Sequence, residues 1–163
     1  MANTVYTAFG DIIYNYLRTN DAASELWDLL VGGADGIIKS GSLMPSLLTQ
    51  AEETRRRATP TNPTLLLMCS VQRGKEVPRG AERYEELAHV RFYDRGQGDE
   101  LIKPAGDVAI RILHRLRGHH TEGQGTGLLS SEYAGRSGIT WDPTYQVLYE
   151  VITFVSTMVR REG

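Results

Sequence analysis

The sequence predicts an α+β domain in which a mostly antiparallel sheet of about four strands packs against an N-terminal helix and a second amphipathic helix. Two strand-like segments follow each other in the middle of the chain, helical patterns lie before and after them, and no regular strand–helix–strand alternation occurs. The 163 residues are 40% hydrophobic and 23% charged, which is typical of one globular domain. We therefore expect residues 1–163 to form a single domain.

The composition excludes several classes of protein. Cys69 is the single cysteine, so an intramolecular disulfide cannot form. A net charge of −2 gives no reason to expect general or sequence-specific binding of nucleic acid. No stretch approaches the roughly 18 apolar residues of a membrane span, and the first twenty residues lack the pattern of a signal peptide. We expect a soluble protein without a membrane partner.

Arginine supplies nearly all of the positive charge, since Lys39, Lys75 and Lys103 are the only lysines. Arginine is favoured at protein interfaces because its planar guanidinium makes several directed hydrogen bonds. A G+C-rich coding genome would produce the same bias, so the composition leaves both explanations open.

The chain opens with an amphipathic helical pattern, for which Asn3 or Thr4 can serve as the cap. A shorter helix is predicted after Asn20, and the pair Gly32-Gly33 ends it. The apolar positions of the two helices are Val5, Phe9, Ile12, Ile13, Tyr16 and Leu17, followed by Leu26, Trp27, Leu29 and Leu30.

The segment from Ala34 to Pro63 has no clear pattern. Pro45 can open a helix that runs through Arg57, but the run Arg55-Arg56-Arg57 also fits a mobile loop, and both interpretations stay open. Residues 59–63 break any regular element because they contain two prolines.

Two strands are predicted next. The short apolar run Thr64 to Arg73 fits a strand buried on both faces, and Gly74 to Gly80 is a polar turn region. Tyr84 to Asp94 alternates between apolar and polar residues, which is typical of a strand with one buried face. Together the two segments predict a hairpin with a wide loop.

A second clear helix is predicted from about Pro104 to Arg117, with Pro104 in its first turn and Gly118 at its end. A glycine-rich loop follows at about 118–138, and its length indicates either a functional or a locally disordered segment. Tyr145 to Arg160 closes the chain as a long strand.

The sequence contains fragments of catalytic and cofactor-binding motifs, but the secondary structure predicted around them is not the one that these motifs require. The GQGTG run at 123–127 has a helix before it and no helix after it, the reverse of a dinucleotide site. The histidines His114, His119 and His120 lack a structured frame and further ligands. Cys69, inside an apolar strand, fits a buried inert thiol. We therefore predict no enzyme, no metal and no cofactor.

The order of elements resembles the tail-terminator (tail-completion or minor tail) proteins of long-tailed phages. The resemblance covers most of the chain and implies a virion subunit of the tail or neck, made in the host cytoplasm. It implies a ring, a homo-hexamer in that family, that caps the tail tube, contacts the major tail tube protein and joins it to the head-side connector protein. The alternatives are a head-completion or connector subunit, or, from another class, a small cytoplasmic ligand-binding domain or enzyme with one deep apolar pocket.

Basic and glycine-rich positions are the candidates for the interface in such a ring. We expect the loop at 118–138 to be mobile in the free subunit and to become ordered where a neighbour covers it, since its glycines are costly to order and few large apolar groups offset that cost. The predicted interface residues are Arg55, Arg56, Arg57, Arg111, Arg115, Gly123, Gly125, Gly127 and Arg136.

Overall fold

The computed structural model describes residues 4–5, 8–39, 44–58, 65–80, 82–95, 99–117, 127–159 and 161–162. Within these residues it has four α-helices, with short 3₁₀ turns at 21–23 and 33–36. The helices are α1 (Phe9–Thr19), α2 (Ser24–Trp27), α3 (Met44–Ala58) and α4 (Asp99–Leu113). The strands are β1 (Thr4–Val5), β2 (Ile37–Lys39), β3 (Met68–Pro78), β4 (Arg83–Asp94), β5 (Leu128–Arg136), β6 (Thr140–Asp142), β7 (Val147–Val159) and β8 (Arg161–Glu162).

The main sheet has six strands in the order β2-β3-β4-β7-β5, with β6 also paired to β7. Strand β2 is parallel to β3, whereas the other neighbours pair antiparallel. The α+β class and the predominance of antiparallel pairing are therefore confirmed, whereas the number of strands is corrected from about four to six, and the pairing of β2 with β3 makes the sheet mixed. Strands β1 and β8 form a separate two-stranded pair.

Helices α1, α2 and α4 cover one face of the main sheet, which we call the helix face. The alternation predicted for β4 is confirmed there, because Ala88, Val90 and Phe92 are fully buried. They pack with apolar residues of the helices and with Ile152 and Phe154 of β7. Helix α3 covers only one end of the opposite face, where Leu48 packs in a small second cluster with Leu67, Met68, Tyr93 and Val147.

Helix α1 begins later than predicted and without a side-chain cap of its own. Its N-cap is Ala8 rather than Asn3 or Thr4, and Thr4 belongs to β1. The carboxyl group of Glu86, on β4, hydrogen-bonds the backbone N–H of Phe9 instead. A residue distant in sequence thus satisfies one of the donors that every helix N-terminus leaves unpaired, which local sequence patterns do not predict.

The segment left open at 34–63 contains both β2 and helix α3, so the helical interpretation is correct for 44–58. Strand β3 starts later than predicted and continues through the expected turn region to Pro78, with an irregularity between Arg73 and Glu76. Helix α4 starts at Asp99, which puts Pro104 inside the helix. Burial of Ile102 in the core stabilises the first turns of the helix. This stabilisation offsets the loss of the backbone hydrogen bond that Pro104 cannot donate.

The glycine-rich segment is a loop only in part. Residues 128–136 form strand β5, so the loop prediction is wrong there, while residues 118–126 lie outside the described residues. Two irregularities of register interrupt the pairing of β5 with β7, at Leu128/Ser130 and at Tyr133/Gly135. At these points the side chains no longer alternate regularly between the two faces of the sheet, and a strand prediction depends on that alternation.

Candidate assembly surfaces

Arg55 anchors α3 to the sheet. Its guanidinium lies 2.8 Å from the fully buried carboxylate of Asp94, at the end of β4, and donates a second hydrogen bond to the carbonyl of Leu65. The next residue of the chain makes the reciprocal pair, because Arg95 lies 2.7 Å from Glu52 on α3. Two ion pairs of opposite polarity therefore hold a helix that contributes few apolar residues to the core.

The other arginines of α3 point outward. Arg56 is exposed, and Arg57 is 83% exposed and makes a long 3.9 Å contact with Glu53. These two side chains are accessible to a partner, whereas that of Arg55 is 14% exposed.

Arg111 pairs with Glu25, which joins the last turn of α4 to α2. The hydrogen bond from Arg111 lowers the pKa of the Glu25 carboxyl. Both side chains are more than half exposed, so water screens the pair and its contribution to stability is small.

Arg136 occupies the centre of a polar cluster between the sheet and α4. Its Nε lies 3.0 Å from Oε1 of the buried Glu150, and its Nη1 lies 2.5 Å from Asp107. The guanidinium rests on Gly106, where a Cβ atom would come within 2.4 Å of Nη2. Arg136 thus ties β5 and β7 to α4, and its side chain is only 17% exposed.

Arg115 has a backbone role at the edge of the sheet. It adopts the left-handed conformation, with φ of 64°, and the chain turns back onto β5 after α4. The Arg115 N–H then donates to the carbonyl of Ser131, and the Ser131 N–H donates to the carbonyl of Leu116. The segment 114–116 therefore closes part of the outer edge of β5.

Gly127 also has a structural role, at the start of β5. Its φ is +81°, and a Cβ atom there would lie 2.6 Å from the carbonyl oxygen of Val159. The carbonyl of Gly127 accepts a hydrogen bond from the Val159 N–H. Gly123 and Gly125 lie outside the described residues. The predicted interface positions that are described do not form one cluster, and their part in assembly stays a prediction.

Two apolar surfaces that the sequence did not indicate stand out instead. Three large apolar side chains are more than one third exposed within the described residues, and all belong to the strands β5 and β6 at one edge of the sheet: Leu129 (41%), Tyr133 (38%) and Trp141 (52%). We call them the edge patch. Tyr133 lies opposite Phe154 and Trp141 opposite Leu148. Both partners pack in the main core, which puts Tyr133 and Trp141 on the helix-face side. Phe154 and Leu148 are six residues apart along β7, so the two rings are separated by roughly 20 Å along this edge.

The second surface is the part of the opposite sheet face that α3 does not cover, which we call the open face. Its centre consists of partly exposed residues of β4 and β7 that share one side of the strands: Leu87, His89, Val151, Thr153, Val155 and Thr157. Nδ1 of His89 lies 3.0 Å from Oγ1 of Thr153, and partial burial, together with the charge of Arg91, lowers the pKa of this histidine.

Groups that could support chemistry are sparse in the described part of the chain. A groove of about 350 Å³ lies beside α1, lined by Gly10, Asp11, Lys39, Val71, Gln72 and Arg73. Its carboxylate, Asp11, already pairs with Arg73 and Lys39, so the groove is polar and its two cations share one carboxylate. It differs from the deep apolar pocket expected of a small ligand-binding domain.

The candidate nucleophile Cys69 and the candidate metal ligands give no support for a catalytic or metal site in the described residues. Cys69 is fully buried, and this burial raises the pKa of its thiol, which keeps it protonated and unreactive. No group of three or more potential metal ligands occurs among the described residues, but His119 and His120 are not among them. No helix in the described ranges is long and apolar enough to span a membrane.

No protein-family model and no curated protein sequence matches the chain. Its fold is nevertheless similar to that of a chain in a solved structure described as the virion of a native gene transfer agent particle. The TM-score is 0.54 and the sequence identity 12%, over 96% of this chain and 96% of the other. At this level of identity the likeness establishes a common fold.

Proposed function

We propose that this chain is a structural subunit of a phage-type virion that forms a ring on the head-proximal end of a tail tube. The observation that carries the proposal is the agreement of the fold, over nearly the full length of both chains, with a protein of a gene transfer agent virion. The order of elements resembles the tail-terminator family and supports the same kind of particle. The partners would be further copies of the chain, the major tail tube protein and the head-side connector protein.

Two surface features support self-assembly. The edge patch and the open face are both partly apolar. They lie on opposite faces of the sheet, the edge patch along β5 and β6 and the open face on β4 and β7. A head-to-tail contact uses two different surfaces of each copy and closes into a ring when the rotation between neighbours permits. A homo-hexamer is the ring size that the family resemblance implies.

Locating the chain in the parent particle tests the proposal. Particles are purified from cells that encode the chain and are labelled with an antibody against it for electron microscopy. We expect one compact label per particle at the junction of head and tail. A chain that is absent from purified particles, or that is spread along the tail, would contradict the proposed role.

A head-completion or connector subunit is the second candidate, because the similar chain is described only as part of a whole virion. Deleting the gene for the chain separates the two roles. Loss of a terminator is expected to give tubes of uncontrolled length beside tailless heads. Loss of a connector is expected to leave tubes of normal length that do not join the heads.

A further inference from the structure

Arg91 on β4 is a partly buried cation that has no counter-ion among the described residues. It lies between the open face and the part of the sheet that α3 covers. Among the side chains that the structure describes, every other arginine and lysine either forms an ion pair or is exposed. Arg91 alone in this part of the chain therefore combines partial burial with an uncompensated charge.

Neutral residues surround Arg91 on the sheet. Ser70 and Val151 lie opposite it on β3 and β7. His89 and Tyr93 flank it on the same side of β4, because side chains alternate along a strand. The acidic residues of α3 and of the end of β4 pair with other arginines: Glu52 with Arg95, Glu53 with Arg57 and Asp94 with Arg55.

The environment of the Arg91 side chain is unfavourable for a charge. Its guanidinium carbon lies 5.8 Å from the centroid of the Tyr149 ring, and such a cation–π contact compensates a charge only in part. Its Nε is buried and has no hydrogen-bond partner within the described ranges, although buried donors are nearly always satisfied. A charge that is partly removed from water without a partner destabilises a fold. A second molecule of opposite charge would relieve this situation.

The chemistry around Arg91 indicates which group that molecule carries. A guanidinium binds a carboxylate through directed, charge-assisted hydrogen bonds. Leu87, Val151 and Val155 lie on the same side of the sheet, so they can cover apolar atoms on either side of a carboxylate. Nucleic acid does not fit, because its repeated phosphates need several cations, and the centre of the open face has no lysine and no other arginine.

The exposed rings of this chain do not carry the required carboxylate. Asp142, next to Trp141, already accepts hydrogen bonds from two backbone N–H groups of the following turn. Glu132, next to Tyr133, lies on the opposite face of β5, since it pairs with Val155 whereas Tyr133 pairs with Phe154. An acidic side chain between apolar ones is thus to be sought on a different protein.

We propose that Arg91 is the anchor of a binding site for an acidic side chain of a second protein, with Leu87, Val151 and Val155 covering the apolar neighbours of that side chain. The site goes beyond the proposed function, because it concerns a partner other than further copies of the chain. It is present in the single subunit, so its tests do not require a ring.

Titration with short peptides tests the site. The probe is a blocked valine–glutamate–valine tripeptide, and the control is valine–glutamine–valine, which has the same shape and no charge. We expect the glutamate peptide to bind wild type at least about tenfold more tightly than the control peptide, measured by NMR shifts of the His89 imidazole. Arg91→Gln should bind both peptides equally weakly. Arg83→Gln removes the same charge at the exposed, opposite end of β4 and should behave as wild type.

The pKa of His89 provides a second readout. Burial and the charge of Arg91 both lower this pKa, so a bound carboxylate should raise it, and Arg91→Gln should raise it without any peptide. Because wild type alone suffices for the first of these measurements, a failure of Arg91→Gln to fold does not affect it. A glutamate peptide that binds no better than its glutamine control, or that leaves the pKa of His89 unchanged, would overturn the inference.

Cross-linking in the parent particle identifies the natural occupant. A photo-reactive amino acid replaces Val151, which lies opposite Arg91, and the linked peptide is sequenced by mass spectrometry. We expect a segment of a different protein with a glutamate or aspartate between apolar residues. A link to another copy of this chain, or to a segment without an acidic residue, would refute the site. Neither result alters the proposed ring, which the labelling of particles tests separately.

Discussion

The backbone N–H of Tyr133 donates a hydrogen bond to Nδ1 of His114 over 3.1 Å, and so a side chain that follows α4 closes a backbone donor at the edge of β5. The bond requires the ring proton of His114 to be on Nε2, because Nδ1 can accept only when it carries no hydrogen. Exposed strand edges promote uncontrolled association. The contact therefore shields part of this edge from pairing with another strand.

Replacing His114 should open this edge. We expect His114→Ala to lose about 1 kcal/mol of stability through the missing hydrogen bond and to aggregate faster at the same protein concentration. His114→Gln, whose side-chain oxygen can accept from the Tyr133 N–H, should recover part of the loss. Thermal unfolding and light scattering measure the two effects. Equal behaviour of His114→Ala and wild type would show that the bond does not protect the edge.

The buried pair of Arg136 and Glu150 should be a sensitive point of the fold. Glu150 is 4% exposed, so Arg136→Met leaves a buried carboxylate without its main partner, which costs about 3 to 5 kcal/mol. The double variant Arg136→Met, Glu150→Met removes both charges and should recover much of that loss. Denaturant unfolding of both variants checks this, and a double variant less stable than Arg136→Met would contradict it.

The contrast between predicted and observed elements has physical causes. The helical apolar positions Phe9, Ile12 and Leu17 were found because burial follows the helical period over a whole element. Strand β2 has only three residues, and its partners on β3 lie 32 positions further along the chain, so its sequence has too little pattern to predict a strand. The network around Arg136 joins residues up to 33 positions apart. Only the folded chain brings them together.

The same reasoning explains why the surfaces were missed. The glycines at 127, 135 and 138 give the segment around β5 the composition of a loop, and Trp141 lies between that segment and the last predicted strand. From the sequence alone, an aromatic residue on the surface cannot be distinguished from an aromatic residue in the core. The open face cannot be predicted from the sequence of β7, because both faces of this strand carry apolar or β-branched residues. Only the position of α3 in the fold shows which part of the sheet is uncovered.

Glu86 makes stability depend on pH. Burial raises the pKa of its carboxyl above the ordinary value of 4.5, although the Phe9 N–H opposes the shift. The folded state therefore holds the proton more tightly than the unfolded state, which stabilises the fold below about pH 4.5, and this contribution is lost as the pH rises through the folded pKa.

Glu86→Gln should remove that dependence while keeping an oxygen that can accept from Phe9. We expect the variant to be more stable than wild type at pH 7 and to lose this advantage at pH 4. Glu132→Gln, at an exposed position of β5, controls for the loss of a surface charge. Urea unfolding from pH 4 to pH 8 measures the difference, and a variant less stable than wild type at pH 7 would show that the carboxylate is favourable in the fold.

Gly127 and Gly138 form a matched pair for the start of β5. Their φ angles are +81° and +79°, so alanine at either position has the same backbone strain, about 1 to 2 kcal/mol. A Cβ at Gly138 meets nothing within 4 Å, whereas one at Gly127 would lie 2.6 Å from the carbonyl oxygen of Val159. Gly127→Ala should therefore be the more destabilising of the two, because it also displaces the pairing of Gly127 with Val159. Hydrogen exchange should show faster exchange at the Val159 N–H in Gly127→Ala alone. If both variants unfold at the same urea concentration and protect Val159 equally, the close approach at Gly127 does not constrain the strand.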